Sequence, residues 1–221
     1  MRVGVVQFPG TNCELDVMRV VESLGGEAEI LFHTNPALTA VDAVVVPGGF
    51  AHGDYLRAGA IARFSPIMDA VAEFARSGGP VVGICNGFQV LCEAGLLPGA
   101  LQKNAGLKFL CRPVELRVET TTTVLTNQAT VGQILRIPIN HFEGNYVCDD
   151  RTLDALRTEE RIVVRYVANP NGSRDSIAGV CNEARNVVGL MPHPERASDR
   201  LLGSDDGLVM LRSLFASVVN A

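Results

Sequence analysis

Cys85 closes the apolar run VVGI and is followed at once by Asn86 and Gly87, after which Phe88, Leu91 and Cys92 fall at helical spacing. A cysteine between the carboxyl end of a buried strand and the start of a helix stands where open α/β sheets form their ligand crevice. The free N–H groups and dipole of the helix start favour negative charge there, which suits a thiolate nucleophile. Gly83 and Gly87 leave room for a sharp nucleophile elbow, and the backbone N–H of Asn86 would then face a developing oxyanion. The same residues also admit a core cysteine acting as a small hydrophobe.

A thiol nucleophile needs a base. Of the four histidines, His33, His52, His141 and His193, only His193 sits in a pattern of its own, GLMPHPERA. Pro192 and Pro194 favour an extended backbone, in which positions two apart face the same way and His193 and Glu195 come together. Glu195 would fix the imidazole tautomer and leave the other ring nitrogen to take the thiol proton, a Cys-His-Glu triad. A solvated Pro-rich turn is the alternative for the same residues. Gly48 and Gly49, directly after the run AVVVP, allow close backbone approach and offer a second N–H to an oxyanion. No G-x-G-x-x-G, no phosphate-cradling G-x-x-x-x-G-K-[ST] and no metal-ligand spacing is present, so neither a cofactor nor a metal is signalled.

The elements that must position these residues alternate. RVGVVQ (2–7), AEILF (28–32), AVVVP (43–47) and PVVGI (80–84) are short, apolar strand candidates. Cys13, Val17, Val20 and Leu24, and then Ile67, Val71, Phe74 and Ala75, recur at helical spacing. Such alternation predicts right-handed crossovers and a parallel sheet. From 113 to 147 the texture changes: PVELRV, TTTVL and ILRIPI read as strands without long helices between them, an antiparallel extension. RIVVRYV (161–167), IAGVC (177–181) and VVGLM (187–191) read as further strands, and Leu208, Leu211, Phe215 and Val218 mark a closing helix. No linker or repeat interrupts the 221 residues, which predicts one domain over 1–221.

Apolar residues make up 47% of the chain, and the net charge of −5 comes without any basic cluster. That pattern argues for a globular protein and against nucleic acid or an anionic membrane as partner. The amino-terminal apolar stretch is too short for a signal peptide, and no run approaches a membrane span, so a cytoplasmic location is expected. Six scattered cysteines without a C-x-x-C suggest free thiols.

GICNGFQ, the upstream PGGF and the late HPE, in this order, resemble the class I glutamine amidotransferases, whose triad-type glutaminase domains have a flavodoxin-like fold. The likeness runs from the first strand to about Ala197. It implies a mostly parallel central sheet flanked by helices, Cys85 as nucleophile, His193 as base and then acid, and Glu195 as orienting carboxylate. It also implies Gly49 and Asn86 as oxyanion donors, and Gln89 and Phe50 at the substrate glutamine. Within the family, QFPGTNCELD, GGFAHGDYLRAGAIA, CNGFQVLCEAGLLPGAL and GLMPHPERA resemble glutaminase subunits serving purine biosynthesis. Those subunits hand ammonia to a large synthetase subunit that converts formylglycinamide ribonucleotide (FGAR) to its amidine (FGAM), with a small accessory subunit in the complex. ATP and magnesium are then expected on the partner and no cofactor on this chain, with loops 50–60 and 140–147 as candidate docking surfaces. Ala51-His52 and Phe142 depart from the family pattern without touching the triad. The alternatives are a glutaminase subunit for another synthetase, a stand-alone γ-glutamyl hydrolase, and a non-catalytic flavodoxin-like module.

Overall fold

The computed structural model describes residues 1–219. Five strands form the parallel half of a nine-stranded sheet: β1 (Arg2–Gln7), β2 (Glu27–Phe32), β3 (Ala43–Val46), β4 (Val81–Ile84) and β11 (Val187–Leu190). Four more continue it antiparallel: β6 (Leu110–Val118), β7 (Ile134–His141), β9 (Ile162–Tyr166) and β10 (Ile177–Cys181). The order across the sheet is β2-β1-β3-β4-β11-β10-β9-β6-β7. A separate two-stranded ribbon pairs β5 (Ala100–Gln102) with β8 (Asn145–Val147).

β3 and β4 are buried throughout, as continuous apolar runs in a sheet covered on both faces should be. Helix α1 (Glu14–Ser23) turns Val17, Val20 and Val21 inward, and α2 (Pro66–Arg76), with Pro66 at its first position, buries Ile67, Met68, Val71 and Ala75. α3 (Asn86–Glu93), α4 (Asp150–Thr158) and α5 (Gly207–Val219) complete the layers. Asp149 caps α4 by accepting from the Thr152 amide at 2.7 Å.

The antiparallel part is larger than the sequence pattern suggests, because β9 and β10 belong to it. Only five residues link β10 to β11, too few for a crossover between parallel strands, so β10 must run against its neighbour. TTTVL (121–125), expected as a strand, is a bent loop. Its threonines bond to the threonines that flank it, Thr122 with Thr120 (3.0 Å) and Thr123 with Thr126 (2.7 Å), and the Leu125 amide donates to Thr123 Oγ1. Such local bonds compete with a strand ladder.

One register matters for function. β11 lies parallel to β4 with Leu190 opposite Ile84, so the chain leaves both strands side by side. Cys85 is one residue beyond the first strand and His193 three beyond the second. A separation of 108 positions thereby becomes a local neighbourhood.

Candidate functional site

Cys85 has φ 51° and ψ −105°, a conformation that non-glycine residues avoid and that costs on the order of 1–3 kcal/mol. Its backbone is over-determined on both sides: the Cys85 amide donates to Leu190 O at 2.8 Å and its carbonyl accepts from the Gln89 amide at 3.2 Å. The helix behind it fits only because position 87 is glycine, since a Cβ there would lie 1.8 Å from Val46 O. The thiol is 5% exposed, and Sγ donates to Asn140 O at 3.6 Å.

His193 and Glu195 are 1% and 2% exposed. His193 Nδ1 donates to Glu195 Oε1 at 2.6 Å, so Nε2 is the ring nitrogen left to exchange a proton with a thiol. Nε2 is buried beside the thiols of Cys85 and Cys13 and makes no aligned hydrogen bond to either, the loose arrangement common before substrate tightens a site. Burial by itself would depress the imidazolium. The Glu195 carboxylate and the two neighbouring thiols outweigh it and hold His193 well above its usual range.

The backbone around His193 is not extended as the two prolines suggested. Residues Pro194–Arg196 form a single 3-10 turn with Pro194 at its start, and the turn, rather than strand alternation, brings Glu195 back under the ring. The turn is moored by the His193 amide on Pro138 O (2.9 Å), by Ser198 Oγ on Glu195 O (3.0 Å) and by the Gly207 amide of α5 on Ala197 O (2.8 Å).

The Gly48 carbonyl accepts from the Asn12 and Cys13 amides at 3.3 and 3.2 Å. Across a trans peptide the next N–H points the opposite way, so this mooring turns the Gly49 N–H away from α1, and it has no backbone acceptor among the described residues. The Asn86 N–H, first in α3, has no acceptor within its own helix. The Asn86 side chain ties the two donor segments together, its Oδ1 accepting from the Ala51 amide at 2.9 Å. Gly48 also abuts the base: a Cβ there would lie 2.7 Å from His193 Cε1.

Two cavities meet at Cys85, sharing Gly49, Phe50 and Asn140 in their walls. One, of about 180 Å³, is closed by Cys13, His193 and Arg196. The other, of about 170 Å³, runs past Gln89 and Phe142 to Asp54 and Glu143. A larger groove of about 740 Å³ opens beside Ala75, Leu97 and Val187, at the opposite ends of β4 and β11 and away from the triad.

Thus the structure brings together all seven residues singled out in the sequence. His141 is buried and neutral, pushed down to about 4 by burial and then by the nearby His193 charge. His52 and His33 pack against each other with ring centroids 5.3 Å apart, and neither lines the two cavities. The sequence pattern missed Cys13, Asn140, Asp54, Glu143 and Arg196. Cys13, Asp54 and Arg196 lie within the longer signatures, but nothing in their spacing links them; Glu143 lies outside those signatures, and Asn140 contributes a carbonyl, which no side-chain pattern reports. Cys13, His193 and Glu195 have ligand atoms within 4.8 Å of one another. A metal would compete there with the Glu195–His193 hydrogen bond and with Arg196, whose cationic Nη2 donates to Cys13 Sγ at 3.1 Å.

Comparison with known proteins gives a consistent picture. The model of the CobB/CobQ-like glutamine amidotransferase domain matches residues 1–205. Phosphoribosylformylglycinamidine synthase subunit PurQ of Rubrobacter xylanophilus is 59% identical over 216 residues, 98% of each chain. The subunit of the same name from Koribacter versatilis is 53% identical over 99% of each. Among solved structures, a chain of PurLQS from Thermotoga maritima superposes with a TM-score of 0.91 at 43% identity, covering 98% of both chains. A glutamine amidotransferase from the same organism, at 16% identity and TM-score 0.65 over 100% of this chain and 99% of that one, shares the fold.

Proposed function

The chain belongs to the CobB/CobQ-like glutamine amidotransferase family, and from that premise we propose that it is the glutaminase subunit of a phosphoribosylformylglycinamidine synthase. One observation carries the chemistry: the strained Cys85 elbow shares a cavity with His193, whose other nitrogen is committed to Glu195.

His193 Nε2 takes the Cys85 proton, and the thiolate adds to the side-chain amide carbon of glutamine. The Gly49 and Asn86 N–H groups hold the resulting oxyanion; one such donor lowers an acyl-transfer barrier by about 3 kcal/mol. As the C–N bond breaks, imidazolium returns its proton to the leaving nitrogen and ammonia departs. A γ-glutamyl thioester remains on Cys85. Water, deprotonated by His193, adds to the thioester; the C–S bond breaks, the thiol is regenerated and glutamate leaves. Glu195 stays ionised and keeps the ring in its tautomer throughout. Phe50 and Gln89 border the glutamine.

Ammonia in neutral water is mostly protonated and no longer nucleophilic, so its consumer must sit against this subunit. In this reading the consumer is a large synthetase subunit that binds ATP and magnesium and converts FGAR to FGAM, with a small accessory subunit. In this reading the chain needs no cofactor of its own, and the complex works in the cytoplasm, where six unpaired thiols stay reduced. The described residues contain no helix long and apolar enough to cross a membrane. Glutamate release should be slow for the chain alone and rise on adding the synthetase; equal rates with and without it would contradict the assignment.

A further inference from the structure

Two sulfurs, not one, stand beside the His193 ring. Cys13 is 3% exposed and lines the cavity of about 180 Å³ together with Cys85, His193 and Arg196. It begins α1 with φ −104° and ψ 7°, and its side chain makes no capping bond to the helix, although that is what side chains at this position ordinarily do. The sulfur turns into the site instead. Arg196 Nη2 donates to Cys13 Sγ at 3.1 Å while Arg196 Nε donates to Asp16 Oδ2 at 3.3 Å, and the Cys13 amide donates to Gly48 O at 3.2 Å. Backbone and side chain are both anchored, and none of the anchors is a triad residue.

The ring itself has one aligned bond, from Nδ1 to Glu195 Oε1. A single bond fixes one point of an imidazole and leaves the rest free to swing about it. Nε2, the nitrogen that must be aimed, is buried and has no partner. Cys13 Sγ lies within 4.8 Å of a His193 ring nitrogen and of a Glu195 carboxylate oxygen. A Cβ placed on Gly48 would lie 3.0 Å from that sulfur and 2.7 Å from His193 Cε1, so backbone and sulfur together bound the ring where Glu195 does not reach. Burial opposes a charged His193, and Glu195, Cys85 and Cys13 together outweigh it.

In the proposed reaction Nε2 changes partner at every step. It takes the proton of Cys85, gives it to the leaving nitrogen, takes another from water and returns that one to the thiol. Cys85 Sγ is bound to carbon through the thioester stage and cannot steady the ring then. Cys13 is the neighbouring sulfur that does not react. We infer that Cys13 is a positioning residue of this site: held by Arg196, it is the fixed contact against which His193 keeps its aim while Nε2 passes protons between Cys85, the leaving nitrogen and water. The inference rests on the glutaminase reading and adds to the triad a residue outside it.

The test is steady-state hydrolysis of glutamine by the full chain. Active sites are counted by the final extent of Cys85 labelling with diazo-oxo-norleucine, so that lost folded protein is not read as lost rate. Cys13→Ala removes the contact, whereas Cys13→Ser keeps an acceptor for Arg196 at nearly the same place. Cys13→Ala should lower kcat per labelled site by about 10-fold or more, with KM for glutamine changed less than about threefold, as a misaimed base rather than a weakened substrate contact would do. Cys13→Ser should recover kcat to within about threefold of wild type. A wild-type kcat in Cys13→Ala, a Cys13→Ser no faster than Cys13→Ala, or a loss carried by KM overturns the role of this sulfur and leaves the triad standing. If wild type neither releases glutamate nor is labelled at Cys85, the glutaminase reading fails and the inference falls with it.

Discussion

The inner wall of the cleft and its outer rim are built on opposite principles. Cys85, His193 and Glu195 are almost wholly buried, and their backbones are moored to β11, β7 and α5. On the rim, Tyr55 is 73% and Leu56 90% exposed, and His52, Asp54 and Leu56 all have positive φ. The wall fixes reacting atoms against a packed core, where a small misplacement is expensive in rate. The rim spends backbone strain on presenting apolar side chains to water, which makes sense for a surface completed by another subunit. On the proposed reading, the triad is held rigidly by this chain, while the exposed rim is left for the synthetase subunit to cover.

Cys85→Ala should break the wall most severely, lowering glutamate release by 10⁴-fold or more with thermal unfolding little changed. Retained activity would remove the thiol from the chemistry.

His141 sharpens the contrast through pH. It stays neutral in the fold down to about 4, whereas the unfolded chain takes up that proton near 6.5. Its contribution to stability is therefore complete above about pH 6.5 and lost as pH falls toward about 4, by at most about 3 kcal/mol. Denaturant midpoints measured across that window should fall for wild type and less for His141→Asn.

Gly48→Ala would push a methyl group against His193 Cε1 and Cys13 Sγ. A loss of kcat on the order of 10²-fold, with KM for glutamine nearly unchanged, is expected from displacing the ring. The mildest change belongs to the rim. Tyr55→Ser with Leu56→Ser should leave the stability of the isolated chain within about 0.5 kcal/mol, yet weaken association with the synthetase by calorimetry.

Much of the wall was legible because its parts are local: strand, cysteine, Asn-Gly and helix follow one another, and His193 and Glu195 stand two residues apart. Their approach to each other was not, since it depends on the Leu190–Ile84 register between strands more than a hundred positions apart. The HPE segment was anticipated as extended because two prolines favour that conformation; proline at the first position of a turn is equally compatible with the 3-10 form observed. TTTVL has the composition of a strand, but its hydroxyls had local partners that composition does not reveal. Asp54 and Glu143 illustrate the remainder: two carboxylates 89 positions apart in loops, juxtaposed only by the fold.

Mass spectrometry of the full chain treated with diazo-oxo-norleucine, with and without excess glutamine, tests most directly whether Cys85 is the activated nucleophile. The account predicts one adduct, on Cys85, suppressed by glutamine. Adducts spread over the six cysteines, or labelling of Cys85 that glutamine does not slow, would contradict it.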